Sequence, residues 1–490
     1  MQGEVRRHGH AVAWAGALLF IAAIKTPPLY HSNQNTKFLH ALARAFPDRL
    51  GGDWTAGTVD GLPVFSEFVY LVARWLHPLA FYVVEAGLLA LLAVSLIAVG
   101  RAAAPRHGDD PRLGYGLAVG LAAVAAINAF DGLAGQYLFN GYLQPSEFGA
   151  LFVFAAAASL AGRHRLAAFA AALPATLHPA YIPVAAVMVA AVWCAERRAL
   201  GRWPRLWVVL AAAAIVVAPQ VDLALRFAPT DPETFRLANR ILAVERIPHH
   251  SIPALWFDGV AALKLAVAAA ALALAPKGVL RNALAGLLGY VVLGTLAVVV
   301  TDYEGLMLLA PWRGSVVLMP LSIAVLAGRG LDLLLPRLEG IGARRAAAAA
   351  LAVVVRGSLA KYKTWQAARP ADWVVDARAR SAPGDLFLTD PDDHTFRLAA
   401  MTPQLVSWKS HPYFDREVLE WRTRLELAQA VYGSESAPRF DCVALQRLLE
   451  AYPVTHVVRP AGHAGEDCRF LAPWFEGRAA RVYRVDRDRL

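Results

Sequence analysis

The sequence predicts a mainly α polytopic membrane bundle of about 11 spans, followed by a small C-terminal α/β domain. Three observations predict it. The 490 residues are 57% hydrophobic and only 18% charged, with a mean hydropathy of +0.42, whereas soluble domains run nearer half apolar and a quarter charged. The excess is uneven: Ala/Leu/Val runs fill 10–355, and ordinary mixed sequence fills 360–490. Arg residues gather in short clusters between the apolar runs, as they do at cytoplasmic helix ends. The net charge of +10 is therefore a topology signal and no sign of nucleic acid. The chain divides into a bundle over 1–360, whose large outside loop is 26–76, and a soluble domain over 361–490.

A span needs about 20 mainly apolar residues. The stretches that qualify, several of them short, are Ala11–Ile24, His77–Val99, Leu113–Phe130, Glu147–Ala161, Leu166–Leu177, Ala180–Cys194, Leu206–Val221, Gly259–Ala275, Ala283–Val300, Ser315–Ala327 and Ala346–Ala360. The first leads into Lys25-Thr26-Pro27-Pro28 instead of a small-residue cleavage site, so an uncleaved span is expected. Basic clusters at Arg6/Arg7, Arg101/Arg106/Arg112, Arg163/Arg165, Arg197/Arg198/Arg202/Arg205, Lys277/Arg281 and Arg337/Arg344/Arg345 all fall on one side of this count. The positive-inside rule then makes the N-terminus cytoplasmic and puts the large loops and the C-terminal domain outside. Two joints are weak. Leu166–Cys194 is short for two spans at 1.5 Å per residue, which suggests a re-entrant or short hairpin broken at His178-Pro179. Ala346–Ala360 contains Arg356 and is the least hydrophobic; without it the tail would be cytoplasmic.

Taken in order, the first outside loop carries Ser32-Asn33-Gln34-Asn35-Thr36-Lys37, then Asp53-Trp54, Asp60 and Glu67. Phe38–Phe46 has the apolar spacing of a surface-lying helix, and Phe65–Trp75 reads as another. Gly51-Gly52 reads as a tight turn presenting Asp53, although a Trp beside an Asp also suits an aromatic belt. The loop 131–147, with Gln136, Tyr137, Asn140 and Gln144, has amides for sugar hydroxyls and rings for sugar faces. Its end, Pro145-Ser146-Glu147, is equally an ordinary helix start. His178 is either a polar cap or a functional imidazole, and His249-His250 adds two more. No metal-binding spacing links them. Arg313, at a helix start and so against the favoured dipole polarity, suggests a grip on phosphate or carboxylate, or a salt bridge to Asp302 or Glu304. Glu85 and Arg356 lie within spans, where charges face the bundle interior or one another. Lys264 can snorkel.

The tail reads as strands at Asp385–Thr389 and Thr455–Arg459, with Gln404–Trp408 and Arg481–Val485 as further candidates, and helices at Glu417–Tyr432 and Val443–Ala451. That alternation implies a largely parallel sheet. No glycine-rich nucleotide loop is present. Cys442 and Cys468 could pair if the tail is outside, and Cys194 sits at a cytoplasmic helix end.

Ser32-Asn33-Gln34-Asn35, Asp53-Trp54, Pro63-Val64-Phe65, Gln144-Pro145-Ser146, His178-Pro179, Pro311-Trp312-Arg313 and Trp408–Pro412, set in this architecture, resemble an uncharacterised bacterial multi-pass family related to the GT-C superfamily of membrane glycosyltransferases. The resemblance implies a polyprenyl-phosphate-linked sugar donor, transfer on the outer face of the inner membrane, and a first-loop acid acting as base or ligand to a divalent metal. Asp53 would take that role, with Asp60 and Glu67 as substitutes. The catalytic candidates are thus Asp53, Glu67 and His178. The substrate-binding candidates are Asn35, Lys37, Gln136, Tyr137, Gln144 and Arg313. The partners are the lipid bilayer and the sugar-carrying lipid. A lipid or glycolipid flippase, supported by Glu85 and Arg356, and a non-catalytic scaffold are the alternatives.

Overall fold

The computed structural model describes the chain apart from Met1, Lys25, Asn140, residues 202–205 and 339–342, 435–436 and Glu466. Lys25, Asn140, Arg202 and Arg205, named above, lie outside the described residues. The chain forms two compact units. One comprises Met1–Pro27, Leu79–Asp222 and Ala243–Trp365; the other comprises Pro28–Pro78, Leu223–Leu242 and Gln366–Leu490. The division differs from a linear cut at 360: most of the first large loop groups with the C-terminal residues.

The first unit is helical. Each expected span falls on a helix: Gln2–Ala23, Leu79–Ala103, Pro111–Ala126, Ala150–Leu160, His164–Leu177, Ile182–Leu200, Leu206–Arg226, Gly259–Leu274, Val279–Thr301, Ser315–Leu334 and Ala343–Ala367. Among the described residues, five helical segments are long and apolar enough to cross a membrane: Leu79–Ala103, Pro179–Leu200, Trp207–Arg226, Val279–Thr301 and Glu304–Arg337. Four more are apolar but shorter, at Gly9–Ala23, Pro111–Ala126, Pro145–Leu160 and Gly259–Leu274. The core is rich in alanine, with Ala118, Ala122, Ala155, Ala171 and Ala324 fully buried. Small residues let helix backbones approach where no hydrophobic difference from lipid drives association. Gly328 shows this: a Cβ there would collide with the Gly100 carbonyl.

The expected break at His178-Pro179 is present. The helix stops at Leu177, His178 is extended at φ −140° and ψ 99°, and Pro179–Tyr181 makes one 3₁₀ turn before Ile182–Leu200 begins. Proline biases its predecessor towards extended backbone and so ends the helix there. Of the charges within spans, Glu85 is buried, whereas Arg356 is exposed and its Nε lies 3.5 Å from the Ala126 carbonyl. Lys264 Nζ donates to the Gly132 carbonyl at 2.8 Å.

The second unit pairs helices with a four-stranded sheet. The strands lie in the order Phe387–Leu388, His456–Pro460, Ala480–Val485, Leu471–Glu476. Only the first pair is parallel; the other two pairs are antiparallel. The sheet is therefore mainly antiparallel, a correction to the largely parallel one expected. The physical reason is local: Leu471–Glu476 and Ala480–Val485 are joined by a short turn, and a parallel pair needs a long crossover. Gln404 contributes a single bridge to Phe387 instead of a strand. Helices Asp415–Tyr432 and Cys442–Ala451 occur where expected.

Cys442 and Cys468 form a disulfide with Cα atoms 5.4 Å apart. Closing a loop of 26 residues constrains the unfolded chain by about 3 kcal/mol. Cys442→Ser should therefore lower unfolding stability by roughly that amount, read as a lower denaturation midpoint. An unchanged midpoint under oxidising conditions would show that the bond does not form.

Candidate functional site

The polar first loop is held by the C-terminal residues of its own unit. Asp53 is buried, and both carboxylate oxygens are engaged. Oδ1 accepts from the Ala56 N–H at 3.2 Å; Oδ2 accepts from Arg397 Nε at 2.6 Å and from the Gln404 N–H at 3.0 Å. The Arg397 side chain is 1% exposed and that of Asp53 0%. A general base must reach its substrate's proton, and this carboxylate presents no free face. The expectation of Asp53 on an open turn is therefore corrected: in this structure it is a brace. Its burial has a cause in the sequence on the far side, where the helix Phe396–Ala400 carries Arg397 inward.

Asn35 is likewise buried, taking the Leu398 N–H on Oδ1 at 3.0 Å and donating to the Tyr30 carbonyl at 2.5 Å. Lys37 donates to the Tyr413 hydroxyl at 2.7 Å and lies 5.1 Å from the centre of its ring. Lys409 Nζ donates to Ser32 Oγ at 2.7 Å, and the Thr36 and Ser410 hydroxyls are 3.0 Å apart. Glu417 accepts the Val59 N–H on both oxygens, and burial raises its pKa. The two conspicuous motifs, Ser32–Lys37 and Trp408–Pro412, are thus two sides of one seam.

This unit has a recess of about 490 Å³ lined by His40, Arg44, Asp60, Glu67 and Arg226, among others. Glu67 is half exposed and pairs with Arg44 at 2.8 Å; His40 lies 3.9 Å from Asp60. The amphipathic helix Pro63–Trp75 supplies Glu67, burying Phe65, Ser66, Val69 and Val72. Of the first-loop acids considered, Asp60 and Glu67 are those that face a cavity.

In the helical unit the turn Pro311–Gly314 delivers Arg313. Ala310 enters it at φ +49°, ψ 67°, a backbone conformation costly for a residue with a Cβ. Gly294 admits the turn, because a Cβ there would overlap Pro311. Arg313 Nη1 donates to His178 Nε2 at 2.7 Å, so that His178 nitrogen is an acceptor in this arrangement. Arg313 also couples electrostatically to Tyr181, Tyr290 and His250. The Tyr290 hydroxyl oxygen is shielded from solvent and lacks a hydrogen-bond partner among the described residues. His250 donates to the Ala134 carbonyl through Nδ1–H. Burial pushes its pKa down to about 4, partly offset by that hydrogen bond, with His249 and Arg313 adding repulsion. It is neutral near pH 7.

The loop 131–147 is tied down around this turn. The Leu133 N–H donates to Ser315 Oγ at 2.7 Å, and the Tyr137 and Tyr142 hydroxyls are 3.1 Å apart. Gln136 is half-buried, while Gln144 is buried at the helix start. The structure thus brings His178 and Arg313 together, and it gathers Asn35 and Asp53 into the seam of the other unit with Lys37 at its edge. Sequence reasoning missed Arg397, Tyr181 and Glu147. Glu147 reads as a first-turn acid, and only its full burial distinguishes it. Among the described residues no three His, Cys, Asp or Glu side chains gather to hold a metal ion, so the divalent metal that the resemblance admits finds no such set.

Comparison with known proteins adds three findings. A family described as a domain of unknown function, DUF6798, matches residues 364–428. That stretch contains Arg397, Gln404, Lys409, Ser410 and Glu417, the side of the seam that grips the first loop. No curated protein matches. Among solved structures the chain is similar to the crystal structure of ArnT from Cupriavidus metallidurans bound to undecaprenyl phosphate, at 13% identity and a TM-score of 0.49, over 99% of this chain and 98% of that one.

Proposed function

We propose that the protein is a multi-pass glycosyltransferase of the bacterial inner membrane, taking sugar from a polyprenyl-phosphate carrier on the outer face. The observation that carries this reading is the Arg313–His178 pair, set in a strained turn beside the uncommitted hydroxyl of Tyr290. Breaking a glycosyl–phosphate bond builds negative charge on the departing phosphate, and a fixed guanidinium with a hydroxyl donor stabilises it where water is scarce. The acceptor hydroxyl needs a base. Among the first-loop acids, Asp60 and Glu67, which face a recess of their own unit, are the ones to test for that role, in place of the buried Asp53. Gln136 and Tyr137 stay assigned to the sugar, and Lys37 to a polar contact. No step is drawn through a metal.

The N-terminus is placed in the cytoplasm by the basic clusters. An outside C-terminal unit is supported by the same rule and by its disulfide, since such bonds persist in oxidising compartments. The test is transfer from a labelled polyprenyl-phosphate sugar by the purified full chain in proteoliposomes. Glu67→Gln and Asp60→Asn are compared with the parent; the true base should cost about 10²–10⁴-fold in turnover. Parent-level turnover in both variants removes the assignment. Lipid flux without any glycosylated product replaces the transferase with the flippase.

A further inference from the structure

The recess beside the helix Pro63–Trp75 carries charges of both signs, more than a single proton acceptor calls for. Its volume of about 490 Å³ falls within the roughly 300–1,000 Å³ of small-ligand sites. The guanidiniums of Arg44 and Arg226 and the carboxylates of Asp60 and Glu67 line it together with His40. Arg44 and Glu67 pair at 2.8 Å, with side chains 52% and 49% exposed. A pair so open to water is held weakly, so both groups stay available to a ligand. Asp60 Oδ1 accepts the Leu62 N–H at 2.8 Å, and Oδ2 is unengaged among the described residues. His40 donates through Nε2 to the Thr58 carbonyl at 3.1 Å, and its Nδ1 lies 3.9 Å from Asp60.

The recess sits where the chain meets the bilayer. Arg226 is the last residue of Trp207–Arg226, a helix long and apolar enough to cross a membrane. Glu67 lies on Pro63–Trp75, and Leu76, His77 and Pro78 alone separate that helix from the next such span, Leu79–Ala103. That link reaches at most about 14 Å. Leu71 and Trp75 follow Glu67 one helical turn at a time, so the three share a face. Leu71 is 48% exposed, Trp75 71% and Leu76 59%. An apolar stripe thus leads from the rim of the recess towards the span, ending in the side chain that favours the boundary of water and lipid.

We propose that the recess binds the head group of a bilayer phospholipid bearing a primary ammonium, of the phosphatidylethanolamine class. The phosphate meets Arg44 and Arg226, the ammonium meets Asp60 and Glu67, and the acyl chains leave along the Leu71–Trp75 stripe. Charge and hydrogen bonding decide the class. An anionic head group brings no cation to the two carboxylates, and like charges disfavour it. A choline head group matches in charge, but its methylated nitrogen has no N–H to give, whereas an ammonium offers three to carboxylate oxygens. The inference does not rest on the transferase reading, because binding needs no sugar donor.

The purified full chain in detergent, without sugar donor, would be offered dioleoyl phosphatidylethanolamine, phosphatidylcholine and phosphatidylglycerol at equal mole fraction. Native mass spectrometry counts the lipid retained. Phosphatidylethanolamine should be held about tenfold better than phosphatidylcholine, the effect of one charge-assisted hydrogen bond, and phosphatidylglycerol no better than phosphatidylcholine. Asp60→Asn and Glu67→Gln should each reduce that preference; the second alters a half-exposed side chain and serves if the first does not fold. Arg226→Gln should lower retention of phosphatidylethanolamine and phosphatidylcholine together and keep their ratio. Glycerophosphoethanolamine, the same head group without chains, should not displace the lipid; displacement makes the ligand a soluble one and overturns the assignment. Equal retention of the three lipids by the parent overturns it too, as does a preference that survives in both acid variants. A chain that transfers sugar while ignoring the head group refutes this inference and leaves the transferase reading standing.

Discussion

Asp53→Asn is expected to cost about 3–5 kcal/mol of stability, because it strands the Arg397 guanidinium in a site from which water is excluded. The pair is held at 2.6 Å with both side chains almost wholly buried, which is the case where removing one partner hurts most. Chemical or thermal unfolding of the purified full chain measures it. Arg397→Met should cost a similar amount, since the carboxylate is then the stranded charge. The double variant Asp53→Leu with Arg397→Met should cost clearly less than the sum, since apolar replacements of buried ion pairs are often neutral. A variant Asp53→Asn that folds as tightly as the parent but no longer transfers sugar would restore Asp53 as the base and remove the brace.

Arg313→Ala is expected to lower transfer by about 10²–10³-fold, the usual effect of deleting one donor to a developing negative charge. Arg313→Lys should recover little, because a point ammonium cannot hold His178 and reach phosphate with a planar fork at once. Initial rates with labelled donor, beside the unfolding midpoint, separate lost chemistry from lost fold. Turnover at the parental rate in Arg313→Ala would sink the phosphate-grip assignment.

Much of the fold was legible in the chain because it rests on local chemistry. Apolar runs placed the helices, and proline after His178 placed the break. The sheet's direction was not legible. Strand–helix alternation is read along the chain, but Leu471–Glu476 is irregular at Pro473–Phe475 and pairs backwards with its neighbour. The site was half legible. His178 and Arg313 stood out as polar residues at helix ends, and they meet. Asp53 stood out for the same reason yet owes its prominence to a partner 344 positions away, a distance no local pattern spans. Glu147 was hidden by its ordinary place in a helix start.

The interleaving of the second unit from three separated chain segments constrains how the protein is made. The early loop is synthesised long before Arg397, so its acid waits for a counter-charge until 344 further residues have been made. Contacts of such sequence separation form slowly. A copy halted before Arg397 would carry that loop without the residues that brace it, a natural target for proteases that survey the membrane. For the same reason a fragment starting at the soluble tail would keep the packing around its sheet but leave the buried Arg397 without Asp53.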